Sequence, residues 1–277
     1  MRKPYPSDVT REQFEWIKDK LEANKKRTRP RKHDLYEIFC AVLYILKEGC
    51  TFRALPHDFP KWEIVYYYYS CWTKIKDNGK SLIDELLIRM VMLERQAADG
   101  RNPKTTMVII DSKTIDNADT AKEKGYDGGK KISGVKIHVA VDTNGLPHAV
   151  GVTTANVSDR DGAIQMFEKN ADNLTRVQKV LGDGGYTGKP FSDSVKIILG
   201  DDVEVEIVKR SEMHKFVVIP KRWIVERSFA WLEKCRRLWK NCERKIHNTL
   251  QMVSLAFMGL ILRRFFIPYH HRRFEKI

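Results

Sequence analysis

Apolar positions recur with helical spacing through the first hundred residues, and then the period changes. Leu35, Ile38, Phe39, Val42, Leu43 and Leu46 fall at i, i+3, i+4, i+7, i+8 and i+11, one face of an amphipathic helix. Asp34 stands where an N-cap is needed and Gly49 where a C-cap is needed. Phe14, Ile17 and Leu21 predict an earlier helix over residues 8–24, and Trp62, Val65, Tyr66, Tyr69 and Trp72 a later one reaching Lys76. Leu82 to Gln96 reads as another helix after the turn Asp77-Asn-Gly-Lys80. A helix, a turn and an aromatic, basic helix in succession is the order of a helix-turn-helix unit. It is equally the order of a three-helix bundle whose Tyr66–Tyr69 run is packing.

At Gly100-Arg-Asn-Pro-Lys104 the helical period gives way to short apolar runs. Val108–Asp111, Val135–Asp142, His148–Thr153, Val177–Asp183 and Val203–Val208 predict five strands, with Thr143-Asn-Gly145 as a hairpin turn. Ser158-Asp-Arg-Asp161 opens a helix with a Ser-x-x-Asp cap. Pro220 precedes a long helix expected from Lys221 to about Lys245. The apolar stretch Leu250–Leu262 is short for a membrane span and contains Gln251 and Ser254, so it reads as a buried core helix. The expected organisation is a helical domain over 1–103 and an α/β domain over 104–277. Three strands, then helix, strand, helix, strand and helix is the order of a ribonuclease H-like mixed five-stranded sheet with flanking helices. An all-α, helix-turn-helix-like domain precedes it.

Charge narrows the partner. Fifty Lys and Arg face 36 Asp and Glu, a formal charge of +14, which favours a polyanion. A membrane surface is one such polyanion and nucleic acid the other, and no membrane partner is expected. The cations cluster: Lys25, Lys26, Arg27, Arg29, Arg31 and Lys32 form one run. Nine Lys or Arg against three Glu lie between Lys221 and Lys245. The five cysteines (Cys40, Cys50, Cys71, Cys235, Cys242) are odd in number and lack a Cys-x-x-Cys pair, so reduced thiols are expected rather than zinc or a disulfide framework. Met1-Arg-Lys-Pro-Tyr-Pro6 is not followed by an apolar run, so no secretory signal is expected. The expected location is cytoplasmic and nucleoid-associated.

Three carboxylates carry the candidate chemistry. Asp111 ends the first β-branched run, Asp183 ends the fourth, and Glu226 lies early in the helix after Pro220. Singly, each has an ordinary reading: a turn cap, a turn residue, and an i,i+4 partner of Arg222. Jointly, on those elements and in that order, they suit an oxygen-lined site for Mg²⁺, with Mn²⁺ able to substitute. Two such ions about 3.5–4 Å apart stabilise the attacking and leaving oxygens of a phosphodiester. Gly182-x-Gly-x-x-Thr187 approaches a dinucleotide fingerprint but lacks its last small residue, and is set aside. His138 and His148 lie in strands without metal-ligand spacing and read as structural. Trp223 and Trp231 read as core, with stacking on an unpaired base as the alternative.

Several runs resemble those of bacterial insertion-sequence DDE transposases of the insertion-sequence-five group. They are Ile110-Asp-Ser-Lys-Thr-Ile115, Gly134-Val-Lys-Ile-His-Val-Ala-Val-Asp-Thr-Asn-Gly-Leu-Pro147, Val152-Thr-Thr-Ala-Asn-Val-Ser-Asp-Arg-Asp-Gly-Ala163, Gly182-Asp-Gly-Gly-Tyr-Thr-Gly188, and Arg222-Trp-Ile-Val-Glu-Arg-Ser-Phe-Ala-Trp-Leu232. Gly49-Cys-Thr-Phe-Arg-Ala-Leu-Pro56 and Trp62-Glu-Ile-Val-Tyr-Tyr-Tyr68 add to the likeness. The resemblance implies that Asp111, Asp183 and Glu226 bind the metal, and that the protein cuts its element's ends and joins the 3′-OH to target DNA. It implies double-stranded DNA as partner, at terminal inverted repeats and target, and a homodimer or higher synaptic assembly. Ile219 stands where the broader signature has Tyr, Glu233 where it has Lys, and Gly184 where Lys is common. Lys25, Lys26, Arg27, Arg29, Arg31, Arg222, Lys234, Arg236, Arg237 and Lys240 are the candidate DNA contacts. The alternatives are an inactive DNA-binding regulator and a ribonuclease H-like repair or recombination nuclease.

Overall fold

The computed structural model describes residues 2–23, 32–208 and 222–264. The chain forms two compact units. One gathers the described residues of Met1–Arg101, Lys234–Leu238 and Gln251–Ile277; the other gathers Asn102–Glu233 and Trp239–Leu250.

In the first unit, helices α1 (Arg11–Ala23), α2 (Leu35–Glu48), α3 (Trp62–Thr73) and α4 (Leu82–Asp99) bury the predicted stripes, except that on α3 Tyr66 is exposed and Trp62 only partly buried. The Asp34 side chain accepts from Tyr36 N, and Gly49 closes α2 at φ 74° with its N–H on Ile45 O. Phe39 sits between Phe14 and Trp72, at ring separations of 5.7 and 6.4 Å. The last helix, α8 (Ile246–Arg264), buries Met252, Val253, Leu255 and Phe257. Its residues from Gln251 onward group with the first unit, whereas the sequence placed all of 104–277 together. The two polar residues in this apolar run explain the grouping. Gln251 accepts from Ser81 Oγ at 2.7 Å and donates to Asp84, and Ser254 also donates to Asp84. Both satisfy their polar atoms at the capped start of α4, so the run buries its apolar residues without orphaned groups.

The second unit is a mixed sheet. Its strands are β1 (Met107–Asp116), β2 (Gly125–Asp127), β3 (Ile132–Val141), β4 (Pro147–Thr154), β5 (Lys179–Gly182) and β6 (Glu204–Ile207). The order is β4-β3-β1-β5-β6, with β1–β5 and β5–β6 parallel and the rest antiparallel. That is the expected ribonuclease H-like order, with six strands rather than five. The extra strand, β2, pairs with the start of β3. It escaped the sequence because three residues, Gly-Tyr-Asp, carry no alternation. Helices α5 (Asp159–Asn170) and α6 (Lys189–Leu199) cover one face. Val108, Ile110 and Val180 pack there with Ala163, Met166, Phe167, Phe191 and Val195.

The long helix expected over 221–245 is shorter. It ends as α7 (Arg222–Glu233), followed by a 3₁₀ turn at Arg236–Leu238. The Trp239 indole N–H donates to Glu233 O at 2.6 Å and satisfies a carbonyl left over at the helix end. Asn241 then bridges to Asn117, and its N–H donates to Asp116 O. The described cations from Lys234 onward therefore lie beyond the helix that carries Arg227.

Candidate active site

Register places the two aspartates. Parallel pairing sets Met107 beside Lys179, Val108 beside Val180 and Ile109 beside Leu181. Asp111, inside β1, and Asp183, just past the end of β5, each lie two residues beyond the last pair. With Ile109, Ile110, Leu181, Gly182 and Val208 they line one pocket. Local bonds fix both side chains: Ser112 N–H donates to Asp111 Oδ1 at 2.7 Å, and Gly185 N–H to Asp183 Oδ1 at 2.9 Å.

Alternation along β1 decides which face they occupy. Val108 and Ile110 point into the α5–α6 core, so Ile109, Asp111 and Lys113 point to the other face. Lys113 there forms an ion pair with Glu233 at the end of α7. Glu226 precedes Glu233 by two helical turns and lies on the same stripe, about 10 Å along the axis. The start of α7 is seated on the β3–β4 turn. Arg227 Nη2 donates to Asn144 O at 3.0 Å, and buried Ser228 donates to Gly145 O at 3.0 Å. The Arg227 guanidinium lies 4.6 Å from the Trp223 ring and 5.0 Å from the Trp231 ring. Its burial lowers the guanidinium's proton affinity below the ordinary range, against the raising effect of Asp142. Gly145 needs its positive φ of 80°, and a Cβ there would meet Ser228 Oγ at 2.9 Å and the Trp231 ring at 3.1 Å. The hairpin turn is thus a socket for α7.

Asp111 and Asp183 supply hard oxygen donors of the kind Mg²⁺ and Mn²⁺ take. Glu226 is exposed on α7. Among the described residues no three His, Cys, Asp or Glu side chains are grouped closely enough to hold a metal ion. The shared three-carboxylate group expected from the sequence is therefore not gathered in this structure. Asp111 and Asp183 sit on or just past paired strands, and Glu226 sits on α7.

The comparisons with known proteins bear on this unit directly. A family model described as a transposase DDE domain matches residues 102–261. The chain belongs to that family. A second model, described as a putative transposase of the IS4/5 family, matches residues 9–76. A putative transposase for insertion sequence element IS402 from Burkholderia cepacia is 31% identical over 119 residues, 40% of this chain and 55% of that protein. The match thus spans about half the length of that curated relative. A solved piggyBac transposase synaptic complex with hairpin DNA aligns at a TM-score of 0.45 and 10% identity, over 90% of this chain and 70% of that one.

The DDE domain also holds groups that sequence reasoning missed. Ser112 Oγ donates to Asp159 Oδ1 at 2.8 Å, and Lys136 Nζ lies 3.1 Å from the same oxygen. Asp159 was hidden inside the cap motif that opens α5. Lys136 was hidden in an apolar strand, although a lysine within such a run is itself a signal of a buried partner. His138 is fully buried, with Nε2 2.9 Å from Thr153 Oγ1. A Cβ at Gly162 would meet its ring at 2.1 Å, so only glycine lets α5 approach. His148 Nε2 lies 3.4 Å from Asp142 Oδ2, both buried.

The candidate DNA contacts divide. Lys25, Lys26, Arg27, Arg29, Arg31 and the Arg222 side chain lie outside the described residues. Lys234 and Lys240 are exposed. Arg236 pairs with Glu48 at 3.0 Å, and Arg237 donates to Cys50 O at 2.9 Å. These two arginines hold the first unit together as well as adding charge. Trp231 is buried, while Trp223 is half exposed. Among the described residues no helix is long and apolar enough to cross a membrane.

Proposed function

We propose that the chain is the transposase of an insertion sequence. It binds the element's terminal inverted repeats, cuts DNA there in a divalent-metal-dependent reaction, and joins the freed 3′-OH to target DNA. The observation that carries this reading is that Asp111 on β1 and Asp183, just past the parallel-paired β5, line one pocket inside the matched DDE domain. Asp111, Asp183 and Glu226 are the residues that would hold one or two Mg²⁺ ions. Such ions lower the barrier to in-line displacement by stabilising charge on the attacking and leaving oxygens. The chain's own part is positional. Backbone N–H groups orient the two aspartates, and α7, seated on the Asn144–Gly145 turn, presents Glu226 on the face that Asp111 occupies.

The first unit supplies recognition. Tyr66 and Tyr67 are exposed on α3, and Arg53 lies 5.2 Å over the Trp62 ring. This face reads base edges of the terminal repeat, while exposed cations such as Lys234 and Lys240 engage phosphates. The working form is a homodimer or larger assembly that holds two ends.

Purified protein incubated with its own element ends, Mg²⁺ and a plasmid target tests the reading. Joined end–plasmid products are the expected result. Cutting without joining would identify a nuclease, and sequence-specific binding without cutting would identify a regulator; either overturns the proposal.

A further inference from the structure

A buried ionic network lies behind the two aspartates. Lys136, on β3, keeps only 8% of its side chain exposed, and its Nζ lies 3.1 Å from Asp159 and 3.5 Å from Asp127. It also donates to Val157 O at 2.8 Å. Asp159 opens α5 and accepts the Ser112 hydroxyl at 2.8 Å, and Ser112 N–H holds the Asp111 carboxylate. Tyr186, three residues past Asp183, is buried under the same point. Burial first, then the charges of Asp111, Asp159 and Asp183, push its phenol well above the ordinary range. Asp159 itself stays below the usual carboxylate range: burial opposes this, but the Ser112 and Lys136 contacts outweigh it.

A third carboxylate this close to two others is electrostatically costly. Lys136 offsets the repulsion, because a buried cation needs a paired anion as much as the anion needs it. The arrangement ties the middle of β1 to α5, on the face opposite α7. We infer that Asp159 is a positioning residue of the DDE site, anchored by its ion pair with Lys136 and acting through Ser112 to fix where Asp111 stands relative to Asp183. This rests on the reading of Asp111 as an active-site residue. Asp159 needs no contact with DNA or metal for this role.

The test is a cycle of Asp159→Asn, Ser112→Ala and the double variant. It is read by single-turnover cleavage of the element's end, affinity for that end, and urea unfolding. Misplacing a reacting group by about 1 Å costs up to about a hundredfold. Asp159→Asn is expected to cut 10- to 100-fold more slowly, on the order set by that misplacement, with end affinity unchanged. Because both act on one path, the double variant is expected to be no slower than the worse single one. Lys136→Arg, which keeps the ion pair, is expected to keep most of the rate, and Lys136→Met to lose it. Multiplicative losses in the cycle would overturn the inference. So would wild-type cleavage by Asp159→Asn, or equal losses in Lys136→Arg and Lys136→Met. If Asp159→Asn does not fold, Ser112→Ala against Ser112→Thr decides, since only threonine keeps the hydroxyl. Asp111→Ala is the control. If it cuts normally the site reading itself fails, whereas an inactive Asp111→Ala beside a fully active Asp159→Asn overturns only this inference.

Discussion

The sheet end and helix α7 hold their carboxylates in different ways. Asp111 and Asp183 are fixed by the backbone: parallel pairing sets their strands side by side, and adjacent N–H groups set their side chains. Glu226 stands on a helix instead. Its helix is held by Arg227 and Ser228 on a hairpin turn and by the Glu233–Lys113 ion pair. Strand register cannot drift without flipping every side chain to the other face. Helix α7 is held by side chains, with Ile224, Val225, Phe229 and Leu232 buried beneath it. On the proposed reading the sheet preorganises the two aspartates, and Glu226 depends on the seat of α7.

The sharpest way to break the contrast is to remove the preorganised members. Asp111→Ala and Asp183→Ala should each lower end cleavage by about a thousandfold or more, measured on gels with labelled end DNA. Affinity for the end should stay near wild type, since no phosphate-contacting cation is lost.

Acid attacks the sheet side next. Burial, the largest cause, moves His138 down from 6.5 to about 4, with Lys136 and Lys130 lowering it further and Asp159 opposing. A histidine with a depressed folded-state value is protonated more readily when unfolded. Its penalty is absent above about pH 6.5, grows as pH falls, and is complete below about 4. This amounts to on the order of 3 kcal/mol. Urea unfolding of the full chain from pH 7 to pH 4 should show the loss, and ¹⁵N shifts should show a neutral His138 ring at pH 5.

Loosening the helix socket comes third. Arg227→Ala removes the bond to Asn144 O and the stacking between Trp223 and Trp231, and should cost roughly 1–3 kcal/mol. Cleavage should fall with it. Raising Mg²⁺ should restore part of the rate if Glu226 is drawn in on binding. An unchanged rate would mean that the seat of α7 does not govern Glu226.

The smallest effect concerns charge outside both regions. Lys240→Ala should flatten the slope of log affinity against log salt by about 0.9. Arg236→Ala should flatten it less and destabilise the first unit, because Arg236 is paired with Glu48.

How much of this was legible follows the same divide. Asp111 and Asp183 stood out because each ends a β-branched run, and strand runs are read from local composition. The caps at Asp34, Gly49 and Ser158 were legible for the same reason. The end of α7 was not, since it depends on Trp239 reaching back to Glu233 O, a contact that no period encodes. Nor was the pairing of Lys136 with Asp159, 23 residues apart and joined only by the fold. Gln251 looked like a defect in an apolar helix until Ser81 and Asp84 gave its polar atoms partners.

The most direct test of the central claim replaces each carboxylate in turn with a thiol: Asp111→Cys, Asp183→Cys and Glu226→Cys. Thiolate favours softer Mn²⁺ over Mg²⁺, so a residue that ligates the ion should reveal itself through metal preference. End cleavage is expected to vanish in Mg²⁺ and return in part in Mn²⁺ for all three. A variant that cuts at the wild-type rate in Mg²⁺ would contradict the account for that residue, and for Asp111 or Asp183 it would contradict the account as a whole.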